Sequence, residues 1–376
     1  ANNHLISELS ALVLIGKALK IEEWEKTGLN FLYEYIDSQI YEDGVGVEQS
    51  PSYLAHTMEF YGLSFINHIE NIPKKINERL YVGVLYLKAM LNKDGLFGRF
   101  GDDDSGNILP FSSSYNKYKS LINFISVLID KNNLLEENFQ NDEKLFWFFG
   151  YEKFNSLIDR SSNENIKLPT SFSNGGYYIL KNKINNKDCK LIFDCGPLGM
   201  TPLCGHGHMD ALSILLEIND SPVLIDPGTY TYFKDLKWRE YFKSTRAHNT
   251  IEIDNIDQSE SAGLFLYTKK AKAFCTKYIR GEYVEGYHDG YKRLKDSTIH
   301  KRKVLFNIKD KEIVINDTIK CNGFHKLKQF YHFSPNCKIE FIKENTFKCI
   351  INNTNSIKFI MDSKFDKVGD ENVLST

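Results

Sequence analysis

The chain has 376 residues, 42% of them apolar and 26% charged, which is ordinary globular composition and enough chain for roughly two domains with a sizeable core. A formal net charge of −2 gives no global attraction to nucleic acid or to an anionic membrane, so an anionic partner has to be met by a local basic patch. No run approaches the roughly 18 consecutive apolar residues of a membrane span, and seven cysteines, an odd number without a CxxC pair, argue against a disulfide framework and an all-cysteine zinc site.

The first 160 residues carry helical periodicity. "NHLISELSALVLIGKAL" spaces Leu5, Leu9, Leu12, Ile15 and Leu19 by three and four, and "EEWEKTGLNFLYEYIDSQI" does the same with Trp24, Leu29, Leu32 and Ile36. "SPSYLAHTMEFYGLSFINHI" opens with a capping Ser50 and with Pro51 at the first helical position. "INERLYVGVLYLKAML", "SLINFISVLID" and "DEKLFWFFGYEKF" complete an array of six or seven helices with short connections. The acidic "FGDDDSGN", residues 100–107, lacks the spacing and the glutamate of an EF-hand and reads as a loop between helices.

From about residue 170 the period changes to β-branched and aromatic runs separated by Gly, Pro, Asn and Asp. "GGYYILKN", "CKLIFDCG", "LSILLEI", "SPVLIDPG", "NTIEID" and the runs that follow predict many antiparallel strands, hence a β-sandwich, with a hairpin at Lys309–Asp310. The polar stretch 159–176 marks the boundary, which gives a helical domain at 1–165 and a β domain at 166–376. The sequons at Asn316 and Asn352 matter only in a glycosylating pathway.

Within the β half, "CGHGHMDALS" holds His206 and His208, which face the same way if the segment is extended. His208, Asp226 and His248 follow at spacings of 18 and 22 residues on successive extended segments. They are either satisfied core residues or a nitrogen and oxygen ligand set that suits zinc. If His208 is a ligand, His206 is available to an adjacent cleft, and Asp210 supports the histidines. "KWREYFKSTRAHN" adds Lys237, Arg239, Lys243 and Arg246 among Trp238, Tyr241 and Phe242. Such a run is either a solvated face or a groove for an acidic sugar chain, which needs cations and stacking rings together. The 13% aromatic content likewise fits either a Tyr- and Phe-rich core or sugar-stacking surfaces.

"HGHMDALSILLEI", "SPVLIDPGTYTY", "WREYFKSTRAHNTIEID" and "DQSE" together resemble the signature block of the heparinase II/III-like polysaccharide lyases. "NNHLISELSAL" and "DGVGVEQSPSYLAH" resemble motifs of that family's helical domain, so the resemblance covers most of residues 1–260. It implies an α+β multidomain protein, an incomplete (α/α) toroid followed by an antiparallel β-sandwich, that cleaves a uronate polysaccharide by β-elimination. By resemblance, Asn3 and His4 neutralise the substrate carboxylate, while Tyr53 and His206 handle the protons. His208, Asp226 and His248 hold a mainly structural zinc by the same resemblance. Arg239, Tyr241 and Arg246 of the basic run are candidates for substrate contact, as is Glu48, which either hydrogen-bonds the site or favours the helix start. His56 reads as packing, and Leu54 stands where the family often has a histidine.

The resemblance also implies a toroid truncated ahead of "NNH", an opened cleft in the isolated chain, and a periplasmic or extracellular home, although no signal peptide is visible at the start. The Lys-, Asn- and Ile-rich composition suggests an AT-rich bacterial source. An acidic polysaccharide is the expected partner, with oligomeric state open. A zinc-dependent hydrolase and a non-catalytic acidic-polysaccharide-binding protein are the alternatives.

Overall fold

The computed structural model describes residues 2–103, 106–111, 115–160, 166–351 and 355–361; residues 161–165 of the expected boundary, the sequon at Asn352 and the end of the β domain lie outside them. Six helices occupy the first part: α1 (Asn3–Leu19), α2 (Glu22–Tyr35), α3 (Pro51–Phe65), α4 (Lys74–Met90), α5 (Lys117–Leu128) and α6 (Glu143–Arg160). Side-chain caps fix three of their starts. Asn2 accepts the Leu5 N–H, Ser50 that of Tyr53, and Asn116 those of Tyr118 and Lys119.

The buried face of α1 is rotated from the expected one. Ile6, Leu9, Val13 and Gly16 point inward, whereas Ile15 and Leu19 are exposed. The 3.6-residue period makes 6, 9, 13 and 16 one stripe, and counting leucines alone misplaces it by one position. Trp24 is likewise exposed, while Leu32 and Ile36 are buried as the period requires.

Strands follow, nearly all antiparallel hairpin neighbours. A five-stranded sheet orders Ser171–Phe172, Tyr177–Ile184, Lys187–Asp194, Ile214–Ile218 and Ser221–Leu224. A four-stranded sheet contains Ala273–Ile279, Tyr283–His288, Ile299–Asn307 and Glu312–Lys320, and its last hairpin turns at the expected Lys309–Asp310. A three-stranded sheet closes with Asn355–Ile360, a strand the sequence reading did not assign. Ile251–Ile253 pairs separately with Leu327–Gln329.

The five-stranded sheet explains why "YYIL" is apolar without a break. Side chains alternate between faces, and both faces are covered. Tyr177, Ile179, Ile192 and Leu215 pack into the helical core. Tyr178, Leu180, Leu191, Phe193, Ile214 and Leu216 pack instead against Val284, Val304, Phe306, Cys349 and Ile351. One sheet therefore joins the two cores, and the chain is α+β with helices and strands segregated along the sequence. No helix among the described residues is long and apolar enough to cross a membrane.

The sheet scaffold reaches the loops of interest through Arg302, which is fully buried in strand Ile299–Asn307. It pairs with Asp317 at 2.7 Å and 3.0 Å and donates to the carbonyls of Leu212 and Asn249. Those carbonyls lie just after His208 and His248 in sequence. Removing one member of a buried pair strands the other charge, at a cost of about 3–5 kcal/mol. Arg302→Met should lose about that much in denaturant unfolding, and adding Asp317→Leu should restore most of it. A single substitution costing under about 1 kcal/mol would mean that the pair does not anchor these loops.

Candidate active site

The helical and β portions meet at Asp102, in the loop between α4 and α5. Gly101 is left-handed, at φ +65°, and a Cβ there would lie 2.6 Å from the His206 carbonyl and 2.7 Å from that of Gln49. Glycine thus lets the loop lie flat on the HGH segment. The Asp102 N–H donates to the His206 carbonyl at 2.8 Å, and its own carbonyl accepts from Ser50 at 2.5 Å. The Asp103 N–H donates to Thr229 at 2.7 Å. Gly207 is required for a similar reason, since a Cβ there would sit 1.4 Å from the Leu198 carbonyl.

The HGH segment is a loop rather than the extended strand expected, and the strand begins only at Ile214. Cys204 takes a left-handed φ and two glycines follow at 205 and 207, so the backbone turns where a strand would run straight. Both imidazoles nevertheless converge, because both reach one carboxylate. His206 Nδ1 lies 3.0 Å from Asp102 Oδ2, and His208 Nε2 lies 2.9 Å from Asp102 Oδ1. Arg239 closes the cluster with both terminal nitrogens on Asp102, one of them at 3.0 Å. Burial by itself would raise the Asp102 carboxyl, but the bonds from His206 and His208, with the charge of Arg239, hold it well below the ordinary carboxylate range.

The expected metal set also converges. One ligand atom from each of His208, Asp226 and His248 lies within 4.8 Å of the others, and all three residues are buried. His208 Nδ1 and His248 Nε2 are buried with no hydrogen-bond partner among the described residues. Buried polar atoms are rarely left so, and two imidazole nitrogens beside a carboxylate are donors that suit zinc. Burial pushes the His208 imidazole down toward its neutral, ligating form; for His248 burial acts the same way, but the Asp226 and Asp210 carboxylates outweigh it and raise the group. His248 Nδ1 contacts Asp226 Oδ2 at 2.7 Å. Asp210 is buried against Asp194 and does not bond the histidines as expected. Burial raises both carboxyls, helped by the charge of Asp226 at Asp194 and by that of Asp194 at Asp210, so this pair stays protonated to higher pH than free aspartates.

Tyr53, in the first turn of α3, stacks on His206 with ring centroids 3.6 Å apart and planes 20° apart. Its hydroxyl lies 3.1 Å from that of Tyr232. Asn3 is buried, its amide nitrogen donating to the Glu48 carboxylate at 2.8 Å and 3.0 Å. Glu48, expected at substrate, is therefore a buried partner of Asn3. Arg239, also expected at substrate, is wholly buried; besides Asp102 it meets the rings of Tyr232 and Phe265 at 5.0 and 5.2 Å. Its guanidinium is committed inside the protein.

His4 is exposed on the first turn of α1, and Arg246 is exposed and paired with the buried Glu252 at 2.8 Å. The structure does not join either to the Asp102 cluster. His56 meets the Tyr53 ring edge-on and bonds the Gly106 carbonyl at 3.0 Å, in keeping with packing. Tyr241 is half-buried on a seventh helix, α7 (Leu236–Lys243), which the sequence reading did not assign. Asp235 caps α7, accepting from Lys237 and Trp238. Trp238 lies edge-on to Tyr241 and meets Phe242 and Tyr230, which makes a run of rings in which Trp238 and Tyr230 are exposed.

Asp102, Tyr232 and Phe265 are the members that sequence reasoning missed. The acidic "GDDD" was the one signal pointing to Asp102.

Comparison with known proteins adds to this geometry. Residues 167–370 match the family description "Heparinase II/III-like, C-terminal", and residues 1–103 match "Heparinase II/III N-terminus". A heparin-sulfate lyase of Bacteroides thetaiotaomicron is 23% identical over 333 residues, covering 84% of this chain and 44% of that protein. A heparin-sulfate lyase of Bacteroides stercoris is 22% identical over 276 residues, covering 69% of this chain and 37% of that one. The chain thus spans less than half the length of these relatives. Among solved structures, a heparan sulfate lyase from Pedobacter heparinus superposes with a TM-score of 0.66 at 19% identity, over 95% of this chain and 52% of that one. A heparinase III crystal structure gives 0.65 at 19% identity, over 95% and 53%. These likenesses establish the shared fold.

Asp102→Asn tests the hub. It leaves Arg239 buried without its countercharge and should cost about 3–5 kcal/mol at neutral pH. Because the folded-state carboxyl is depressed, its contribution is complete above the unfolded value of about 4 and lost as pH falls below it. The stability gap between wild type and variant, from urea midpoints, should be largest near pH 7 and narrow below about pH 4. A gap that is constant with pH would show that Asp102 is not the ionised centre of the cluster.

Proposed function

The chain belongs to the heparinase II/III family, and we propose that it is a polysaccharide lyase, cleaving a uronic-acid-containing glycan by β-elimination to a 4,5-unsaturated product. The observation that carries this reading is the stacked Tyr53–His206 pair. It sets two groups able to exchange protons side by side at the junction of the two portions, with one of them fixed by a buried carboxylate. We read residues 1–165 as part of an (α/α) toroid and the chain from residue 166 as an antiparallel β-sandwich, with the substrate cleft between them. The named relatives are heparin-sulfate lyases, which makes sulfated glycosaminoglycans the first substrates to test.

Elimination needs a base at C5, an acid at the leaving O4 and donors on the neighbouring carboxylate, where charge builds as the C5 proton leaves. His206 is the base in this proposal. A hydrogen bond from Nδ1–H to Asp102 selects the tautomer with its lone pair on Nε2 and stabilises the imidazolium formed on proton uptake. The C5–H electrons form the C4–C5 double bond as the C4–O4 bond breaks. The Tyr53 hydroxyl, next to that of Tyr232, gives its proton to O4. Asn3, its amide held by Glu48, serves the substrate carboxylate together with His4. The exposed rings of Tyr230 and Trp238, with Tyr241 beside them, offer stacking faces for further sugar units, and Arg246 offers an exposed cation.

His208, Asp226 and His248 would hold zinc. The ion would supply a fixed charge that ties three loops behind the base, and no proton transfer runs through it.

His206→Ala should lower the rate of unsaturated product formation on an acidic polysaccharide by about 10²–10⁴-fold, with zinc content unchanged. Mass spectra showing saturated, water-added products would instead identify a hydrolase, and binding without turnover by wild type would identify a carrier.

His208→Ala should have a different outcome. It should lose the bound metal and with it thermal stability. Equal metal loss in the His206 and His208 variants would sink the proposed division of labour between the two histidines.

A further inference from the structure

We propose that Asp296, Cys321 and His325 form a second site for a zinc-class divalent cation, separate from His208, Asp226 and His248. One ligand atom from each of the three lies within 4.8 Å of the others. Topology makes the meeting inevitable. Strands Ile299–Asn307 and Glu312–Lys320 pair with Ile299 opposite Lys320, so Asp296, just before the first, and Cys321, just after the second, emerge at the same end. His325 arrives there two residues ahead of strand Leu327–Gln329, whose Leu327 faces Ile253.

The surroundings are arranged for a metal. His325 Nδ1 lies 2.7 Å from Asp254 Oδ2, and the other oxygen of Asp254 accepts the Lys326 N–H at 2.8 Å. A carboxylate on the far ring nitrogen is the usual partner of a ligating histidine, because it fixes the tautomer and turns the second nitrogen's lone pair outward. Here Nε2 lies 3.1 Å from Asp296 Oδ2 and 3.3 Å from the Thr298 hydroxyl. In the tautomer that Asp254 would select, Nε2 and the Asp296 oxygen would both be acceptors, and a cation between them would take a bond from each. Asp296 is itself held by the N–H groups of Asn322 and Gly323, at 2.8 and 2.5 Å.

Cys321 is exposed, and among the described residues its thiol makes one long contact, 3.5 Å, to the Gly323 carbonyl. Rotation of this side chain can close the gap to the roughly 3.5 Å ligand separations that tetrahedral bonds of about 2.0–2.3 Å impose. One nitrogen, one sulfur and one oxygen donor select zinc over calcium or magnesium, which take oxygen shells. The fourth tetrahedral position falls to solvent. The competing arrangement is an imidazolium bridging Asp254 and Asp296, which gives Cys321 no part.

The sulfur ligand makes the test specific, because the first site has none. The full chain, stripped by chelator and titrated with cobalt(II) alone, should develop a sulfur-to-cobalt charge-transfer band in the near ultraviolet. Cys321→Ser, a change at an exposed position, should abolish that band and lower zinc uptake from two ions per chain to one. Asp254→Asn should keep the band but weaken the affinity behind it by about 10–100-fold. No charge-transfer band in wild type, or a band that survives Cys321→Ser, would overturn the proposal in favour of the bridging imidazolium.

Discussion

A carboxylate taken out of water must recover several kilocalories per mole in ion pairs and hydrogen bonds, and in this protein that demand falls on Asp102. It is met by two imidazoles and a guanidinium drawn from two segments of the β portion, His206 and His208 from one and Arg239 from α7. Asp102 itself comes from the helical portion. The two portions are therefore joined to each other at this residue. Tyr53 reaches the ring of His206 only because the Asp102 loop, bonded to Ser50 at the start of α3, holds the HGH segment against that helix. The same carboxylate also fixes the ring of His208, whose other nitrogen belongs to the proposed metal set. The chemistry of the proposed base and the rigidity of the scaffold meet in one side chain.

Local patterns in the sequence carried much of this. The 3.6-residue period marked the helices, the β-branched runs marked most strands, and Ser50–Pro51 marked the start of α3. What stayed hidden was long-range. Nothing near Asp102 in the chain announces that its partners lie more than 100 residues away, and an acidic loop is most often solvated. Arg239 and Glu48 were legible as charges but not as buried ones, because burial depends on which partner arrives from elsewhere. The extended reading of HGH failed for a related reason. Two glycines beside a left-handed Cys204 allow a turn that side-chain alternation cannot foresee.

The short pair formed by Ile251–Ile253 and Leu327–Gln329 connects the proposed metal sites. His248 precedes the first strand by three residues and Asp254 directly follows it, so the two clusters sit at opposite ends of one segment, on the order of 20 Å apart along an extended chain. The strand is brief and would be marginal alone. Ions at both ends would fix its register without enlarging the core. Rings on α7 and the loop before it, with Tyr230 and Trp238 exposed, form an apolar surface of the kind proteins usually reserve for binding.

The central claim is that Asp102 acts on catalysis through His206. A double-mutant cycle on kcat/KM for unsaturated-product formation tests it most directly, using Asp102→Asn, His206→Ala and the pair. If the carboxylate works by orienting and charging that imidazole, the double variant should be no slower than His206→Ala alone. Fully additive losses would show that the two residues contribute separately, and would contradict the account.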